Sequence, residues 1–171
     1  MNKLKSYNRD AAVAYAIKYA EIPNVDKWKY YEGYGGDCTN FTSQCLYAGG
    51  IPFDHVGKSS LEKWYWYSDG QRTASWTSSE AFRQYVLLNK SGPGLRAHIG
   101  KREELKLGDL VQLEENGRTY HTMIVTGYIK SPKDPNIIED YLICQHSANF
   151  LNIPLSTKTA KLVYIIIDGY V

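Results

Sequence analysis

The sequence predicts an α+β domain in which N-terminal helices pack on a C-terminal antiparallel sheet. Three observations point there. Helical apolar spacing runs out near residue 89, strand-like alternation begins near residue 105, and Asn116-Gly117 marks a tight hairpin inside the second half. With 171 residues the chain is read as one domain over 1–171, long enough to bury a proper core.

The first element is an alanine-rich helix over residues 8–21, capped by Asn8, with Val13, Ile17 and Ala20 as its apolar stripe. Residues 22–36 hold Pro23, three tyrosines and three glycines and read as a loop. Gly35-Gly36 then lead into a second helix. Asp37 is its expected N-cap, with a carboxylate able to accept from first-turn N–H groups, and Gly49-Gly50 is its stop. An irregular stretch follows to about residue 75. Alternation in Trp64-Tyr65-Trp66-Tyr67 puts Trp64 and Trp66 on one side of an extended segment. A third helix starts at Ser75 and runs to about Asn89, and Ser91-Gly92-Pro93-Gly94 punctuates the two halves. Strands are expected at residues 110–113, 119–128, 141–146 and 162–167.

Composition excludes several classes. Twenty basic residues against 18 acidic ones leave a net charge of +2, with no long basic run or basic aromatic platform for nucleic acid. No apolar stretch has membrane-spanning length, and Met1-Asn2-Lys3-Leu4-Lys5 lacks the apolar segment of a signal peptide. Cysteines at 38, 45 and 144 lack the short spacing of a zinc site and make no disulfide framework. All four tryptophans lie between residues 28 and 76, and with 15 tyrosines they suit a groove for sugars or peptides or, residue by residue more often, an ordinary half-buried core rim.

Cys38 is the candidate nucleophile. It falls in the first turn of a helix, where free N–H groups and the macrodipole favour negative charge and lower a thiol's pKa. Cys45, seven residues on, is about 10 Å deeper by helical rise and reads as core. The base should be a histidine. His55 and His98 lie in loop-like stretches and are assigned to solvent or local hydrogen bonds, whereas His121 and His146 lie in strands. With the connecting loop centred between Lys133 and Asp134, His121 pairs directly with His146, Cβ atoms about 5 Å apart. The Asn116-Gly117 turn puts Gln112 on the other side of His121. His121 is thus the expected base, His146 its orienting partner, and Gln112 a lower-ranked one. The Cys38 backbone N–H is one oxyanion donor, and Tyr34 or Tyr31 can supply a second from a side chain. Tyr34, Trp64, Trp66 and Gln112 are the expected substrate-binding residues.

The block Gly36-Asp37-Cys38-Thr39-Asn40-Phe41-Thr42-Ser43-Gln44, followed by Gly108-Asp109 and by His121 to Thr126, resembles the papain-like cell-wall hydrolases of the NlpC and CHAP type. Within them it looks most like the amidase domain of Gram-positive bacteria, and the likeness also takes in Tyr7-Asn8-Arg9, Ala48-Gly49-Gly50 and Ser75-Trp76. The resemblance implies a papain-like fold with Cys38 as nucleophile, His121 as base and His146, or else Asn149, as third member. It also implies hydrolysis of an amide in peptidoglycan stem peptides or at the sugar–peptide junction. The expected enzyme is a monomer that needs no metal or cofactor and takes peptidoglycan or a peptide as substrate, with no nucleic-acid or membrane partner. It is extracellular, at the cell wall, if the chain is a piece of a longer secreted protein, and cytoplasmic otherwise. Two alternatives are a cytoplasmic processing peptidase or acyl transferase using the same pair, and a non-catalytic wall-binding module.

Overall fold

The computed structural model describes residues 3–171; Met1 and Asn2, at the start of the segment weighed above as a signal peptide, lie outside them. Helix α1 (Arg9–Tyr19) begins where Asn8 Oδ1 accepts from the Ala11 N–H at 3.0 Å. Its buried stripe is Ala12, Ala16 and Ala20, displaced from the expected one, since Ile17 is exposed. Small side chains let α1 lie close against α2 (Cys38–Ala48), whose residues 38–46 are all buried. The chain leaves α2 through Gly50, at φ +91°.

The helix expected from Ser75 is broken in two. Helix α3 (Ala74–Thr77) ends at Ser78, whose extended backbone restarts the chain as α4 (Ser79–Leu88) and whose hydroxyl accepts from the Ala81 N–H. Before them, β1 (Trp66–Ser68) and β2 (Gln71–Arg72) form a small hairpin.

The main sheet has six strands in the order β3-β8-β4-β5-β6-β7, every pair antiparallel. They are β3 (Leu95–Gly100), β4 (Leu110–Glu115), β5 (Arg118–Lys130), β6 (Ile138–Gln145), β7 (Phe150–Pro154) and β8 (Lys161–Tyr170). The two edge strands, β3 and β7, are not among the expected ones, and His98 lies on β3 rather than in a loop. There it bonds to Asp168 at 2.8 Å, and that bond raises its pKa. One face of the sheet meets the helices through Leu110, Ile124, Cys144 and Ile165, packed with Phe41, Cys45, Leu46, Trp64 and Trp76. The other carries Val111, Leu113, Met123, Val125, Ile143 and Ile166.

Two clasps hold the halves together. Arg9 Nη1 donates to Asp109 Oδ1 at 2.7 Å and to the Leu107 carbonyl at 2.9 Å, while Nη2 reaches the Ile167 carbonyl at 2.6 Å. Tyr7 Oη adds a bond to the Gly108 carbonyl at 3.0 Å. Glu80, in the first turn of α4, accepts from the Thr119 N–H and hydroxyl at 2.9 and 3.1 Å and fixes the start of β5.

Candidate functional site

The site forms where the start of α2 meets β5. The β5–β6 ladder begins at Ile124 opposite Cys144, so residues 118–123 of β5 project past their β6 partners. At that free flank the Thr122 N–H is directed at the Cys38 sulfur, and the Thr39 hydroxyl lies 3.7 Å from it. Thr39 Oγ1 and Thr122 Oγ1 are 2.9 Å apart and tie the first turn of α2 to the strand. His121 is the residue before Thr122 in β5 and is itself buried.

The register of His121 differs from the expectation by one residue on both sides. A bulge between Leu113 and Glu114 makes Gln112 the partner of Thr122 and leaves Leu113 opposite His121. On the other side Cys144 pairs with Ile124 rather than Met123. A one-residue slip moves a side chain to the opposite face, so the expected row Gln112–His121–His146 does not form. Gln112 is buried, bonding to the Ser79 carbonyl at 2.9 Å and Thr122 Oγ1 at 3.1 Å. It braces α4 against the sheet and neither orients His121 nor reaches the cleft.

His146 is likewise engaged elsewhere. Its Nδ1 lies 2.5 Å from Asp37 Oδ2, its Nε2 2.8 Å from the Tyr19 carbonyl, and its ring stacks on Phe41 with centroids 3.9 Å apart. Both nitrogens are consumed in joining the end of α1 to the start of α2. Asp37 is therefore not the side-chain cap expected of it. Oδ1 accepts from the Tyr31 N–H and from Asn40 Nδ2, both at 2.8 Å, and Oδ2 faces His146. Asn149 pairs with the Tyr30 hydroxyl, away from His121.

The residue that sequence reasoning passed over is Gln145. His121 Nε2 and Gln145 Oε1 are both buried without a strict hydrogen-bond partner among the described residues, and the Gln145 side chain acts on the imidazole as a hydrogen-bonding neighbour. Its Nε2 is held by the Ser147 and Ala148 carbonyls, each at 3.0 Å, which fixes the amide. These carbonyls are presented by a turn in which Ser147 and Ala148 both have φ +60°. Ser147 Oγ also accepts from the Asp37 N–H at 2.9 Å, and a Cβ on Gly36 would stand 2.9 Å from that oxygen. So residues 145–147 neighbour His121 and hold Asp37 by both its side chain and its backbone N–H.

Burial shifts both Cys38 and His121 toward their uncharged forms. Burial pushes the Cys38 thiol up, the Asp37 carboxylate adds to that push, and the Thr122 N–H and Thr39 hydroxyl oppose it. The lowering expected from the helix start alone is outweighed. Burial drives His121 down to about 4, against a smaller upward contribution from Gln145. Cys45 and Cys144 are fully buried with thiols raised by burial, in keeping with a core role.

Cys38 opens onto a cleft of about 300 Å³ walled by Tyr31, Tyr34, Arg72 and Tyr120 and floored by the hydroxyl residues Thr77, Ser78, Ser79 and Thr119. Tyr34 lines it and is 75% exposed. The two tryptophans do not line it. Trp64 is fully buried with Nε1 on Ser43 Oγ at 3.2 Å, and half-buried Trp66 supports the wall from behind by donating to the Tyr31 hydroxyl at 2.9 Å. Among the described residues no group of three or more His, Cys, Asp or Glu side chains is arranged to hold a metal ion, and no helix is long and apolar enough to cross a membrane.

The chain is 32% identical over 164 residues to the uncharacterized protein YjcM of Bacillus subtilis (strain 168), covering 92% of this chain and 35% of that protein. It is 37% identical over 122 residues to the uncharacterized protein YhbB of the same organism, covering 70% of this chain and 37% of that one. The chain thus spans just over a third of the length of these relatives. No solved structure matches it. The model of the family described as "Putative amidase domain" matches residues 6–166, nearly the whole chain, and the protein belongs to that amidase-domain family.

Proposed function

We propose that this domain is a cysteine-dependent amide hydrolase with the papain-like arrangement of the NlpC and CHAP enzymes, acting on peptidoglycan stem peptides or the muramoyl–peptide amide. The observation that supports the reading is Cys38 in the first turn of α2 at the cleft, with the Thr122 N–H of β5 favouring its thiolate, while His121, the residue before Thr122, is buried with Gln145 as its hydrogen-bonding neighbour.

In this mechanism Cys38 Sγ attacks the amide carbonyl as its proton passes to His121. The sulfur is deprotonated in the act of attack, because a neutral thiol and neutral imidazole are the resting forms. Gln145, the hydrogen-bonding neighbour of the imidazole, orients His121 during the reaction and leaves Nδ1 to take that proton, so this mechanism gives Gln145 the third place that sequence reasoning assigns to His146. The Cys38 backbone N–H stabilises the oxyanion, and Tyr34 stands on the cleft wall as its side-chain partner. The C–N bond breaks, the departing amine takes the proton from His121, and water hydrolyses the thioester to return free Cys38. The reaction draws on no metal or cofactor, and the working unit is a monomer.

Mass analysis of fragments from purified peptidoglycan tests the substrate. New amino termini on stem peptides, or free peptide released from the sugar, are the expected products, and the mass tells which bond is cut. Intact peptidoglycan beside turnover of unrelated peptides would instead favour the processing-peptidase reading, to which the free thiols Cys38, Cys45 and Cys144 also lend weight.

A further inference from the structure

The residues around the Cys38 cleft are mostly aromatic or hydroxylic, and Arg72 is the charged side chain on its wall. Its guanidinium lies over the Tyr31 ring at 4.9 Å, and Nη1 donates to Thr77 Oγ1 at 2.6 Å. Those two contacts aim the group and leave most of its five N–H donors unspent. Nε is buried without a hydrogen-bond partner among the described residues, and its nearest carboxylate oxygen, Asp69 Oδ1, stands at 3.5 Å. Asp69 is already held by Lys29, whose ammonium lies 2.7 Å from Oδ2 and also caps the Tyr31 and Tyr34 rings. Two cations thus share one half-exposed carboxylate along the wall beside the nucleophile, which leaves a local positive charge there.

We propose that Arg72 is a specificity-determining residue that receives a carboxylate of the substrate, so that the cleft selects acidic peptides over neutral ones. The proposal deepens the amide-hydrolase reading and rests on it for the scissile bond. The chemistry favours a carboxylate because a planar guanidinium with free N–H groups matches it in two parallel bonds. Tyr31 and Thr77 hold the fork in place, so little ordering is needed on binding.

The test uses two alkylating agents that differ only in charge, N-iodoacetylglycine and N-iodoacetylglycinamide, with Cys38 modification followed by mass spectrometry. Relative to glutathione in the same buffer, wild-type Cys38 should prefer the acid by about tenfold. That preference should vanish in Arg72→Gln, survive in part in Arg72→Lys, and shrink in 0.5 M salt. An acid-to-amide ratio equal to that of glutathione, or one unchanged in a folded Arg72→Gln protein, would overturn the proposal; a strut that merely supports Tyr31 would not move this ratio. Should Cys38 react with neither agent, the nucleophile reading fails on its own. The carboxylate site is then judged by titrating Cys38→Ala protein with N-acetylglycine and N-acetylglycinamide and following the Arg72 Nε–H resonance. A shift with the acid alone upholds the site, and identical responses refute it.

Discussion

His146 Nδ1 and Asp37 Oδ2 lie 2.5 Å apart with both side chains 1% exposed, so the residue just before the nucleophile is locked to the turn that follows β6. Removing one partner of such a pair leaves a buried polar group unmatched, at a cost of about 3–5 kcal/mol. His146→Ala should therefore lower the urea unfolding free energy by roughly that amount, whereas Asn149→Ala should stay within about 1 kcal/mol of wild type. Activity loss in His146→Ala should follow the loss of folded protein; a fully folded, inactive His146→Ala would instead return His146 to the catalytic group.

In the proposed mechanism Gln145 acts on His121 rather than on the fold of α2. Gln145→Ala should reduce kcat by roughly 10- to 100-fold with little change in KM, because His121 loses the acceptor that sets its ring and tautomer. Gln145→Glu should recover part of the loss and displace the acid limb of the pH–rate profile upward, since a carboxylate favours the imidazolium. Equal loss in both variants with no pH shift would assign Gln145 a packing role.

The burial of His121 has a consequence for acid stability. Its pKa is about 4 in the folded protein, against about 6.5 unfolded. Between these values the unfolded chain binds a proton that the native protein refuses, so stability is present above pH 6.5 and declines as pH falls toward 4. The decline amounts to about 3 kcal/mol. Unfolding curves from pH 7 to 4.5 should show this slope in wild type and a shallower one in His121→Asn; parallel slopes would contradict the neutral, desolvated imidazole.

The Arg9–Asp109 clasp should be worth more to folding than to chemistry. Asp109 is fully buried while Arg9 is 25% exposed, which moderates the cost of breaking the pair to roughly 2–3 kcal/mol for Arg9→Met. Thermal unfolding should fall by several degrees, with kcat of the folded fraction unchanged.

Much of this was legible in the sequence because local signals and tertiary packing agree. Asn8, Gly50 and Asn116-Gly117 terminate or turn the chain by backbone rules that need no distant partner, and Cys38 falls at a helix start for the same reason. The edge strand β7 escaped because Phe150-Leu151-Asn152-Ile153-Pro154 shows no clean alternation. Leu95-Arg96-Ala97-His98-Ile99 of β3 does alternate, but it follows directly on the Ser91-Gly92-Pro93-Gly94 punctuation and reads as loop. The third-member assignment turned on a single bulge at Leu113/Glu114 and on the slipped β5–β6 pairing, which together put Thr122 where His121 was expected. A histidine is also a louder signal than a glutamine. His146 drew the role that the proposed mechanism gives to its neighbour, a proposal supported by two buried atoms without a partner among the described residues, His121 Nε2 and Gln145 Oε1. Trp64 and Trp66 were misjudged because aromatic alternation cannot tell a groove from the core behind it.

The central claim is that the Cys38 sulfur, deprotonated by His121, cuts an amide bond. It is tested most directly by measuring the primary amines released from purified peptidoglycan by wild type and by folded Cys38→Ala and His121→Ala side by side. Wild type should release them steadily, Cys38→Ala should release none above background, and His121→Ala should be slower by at least about 10²-fold. Undiminished release by Cys38→Ala would contradict the account.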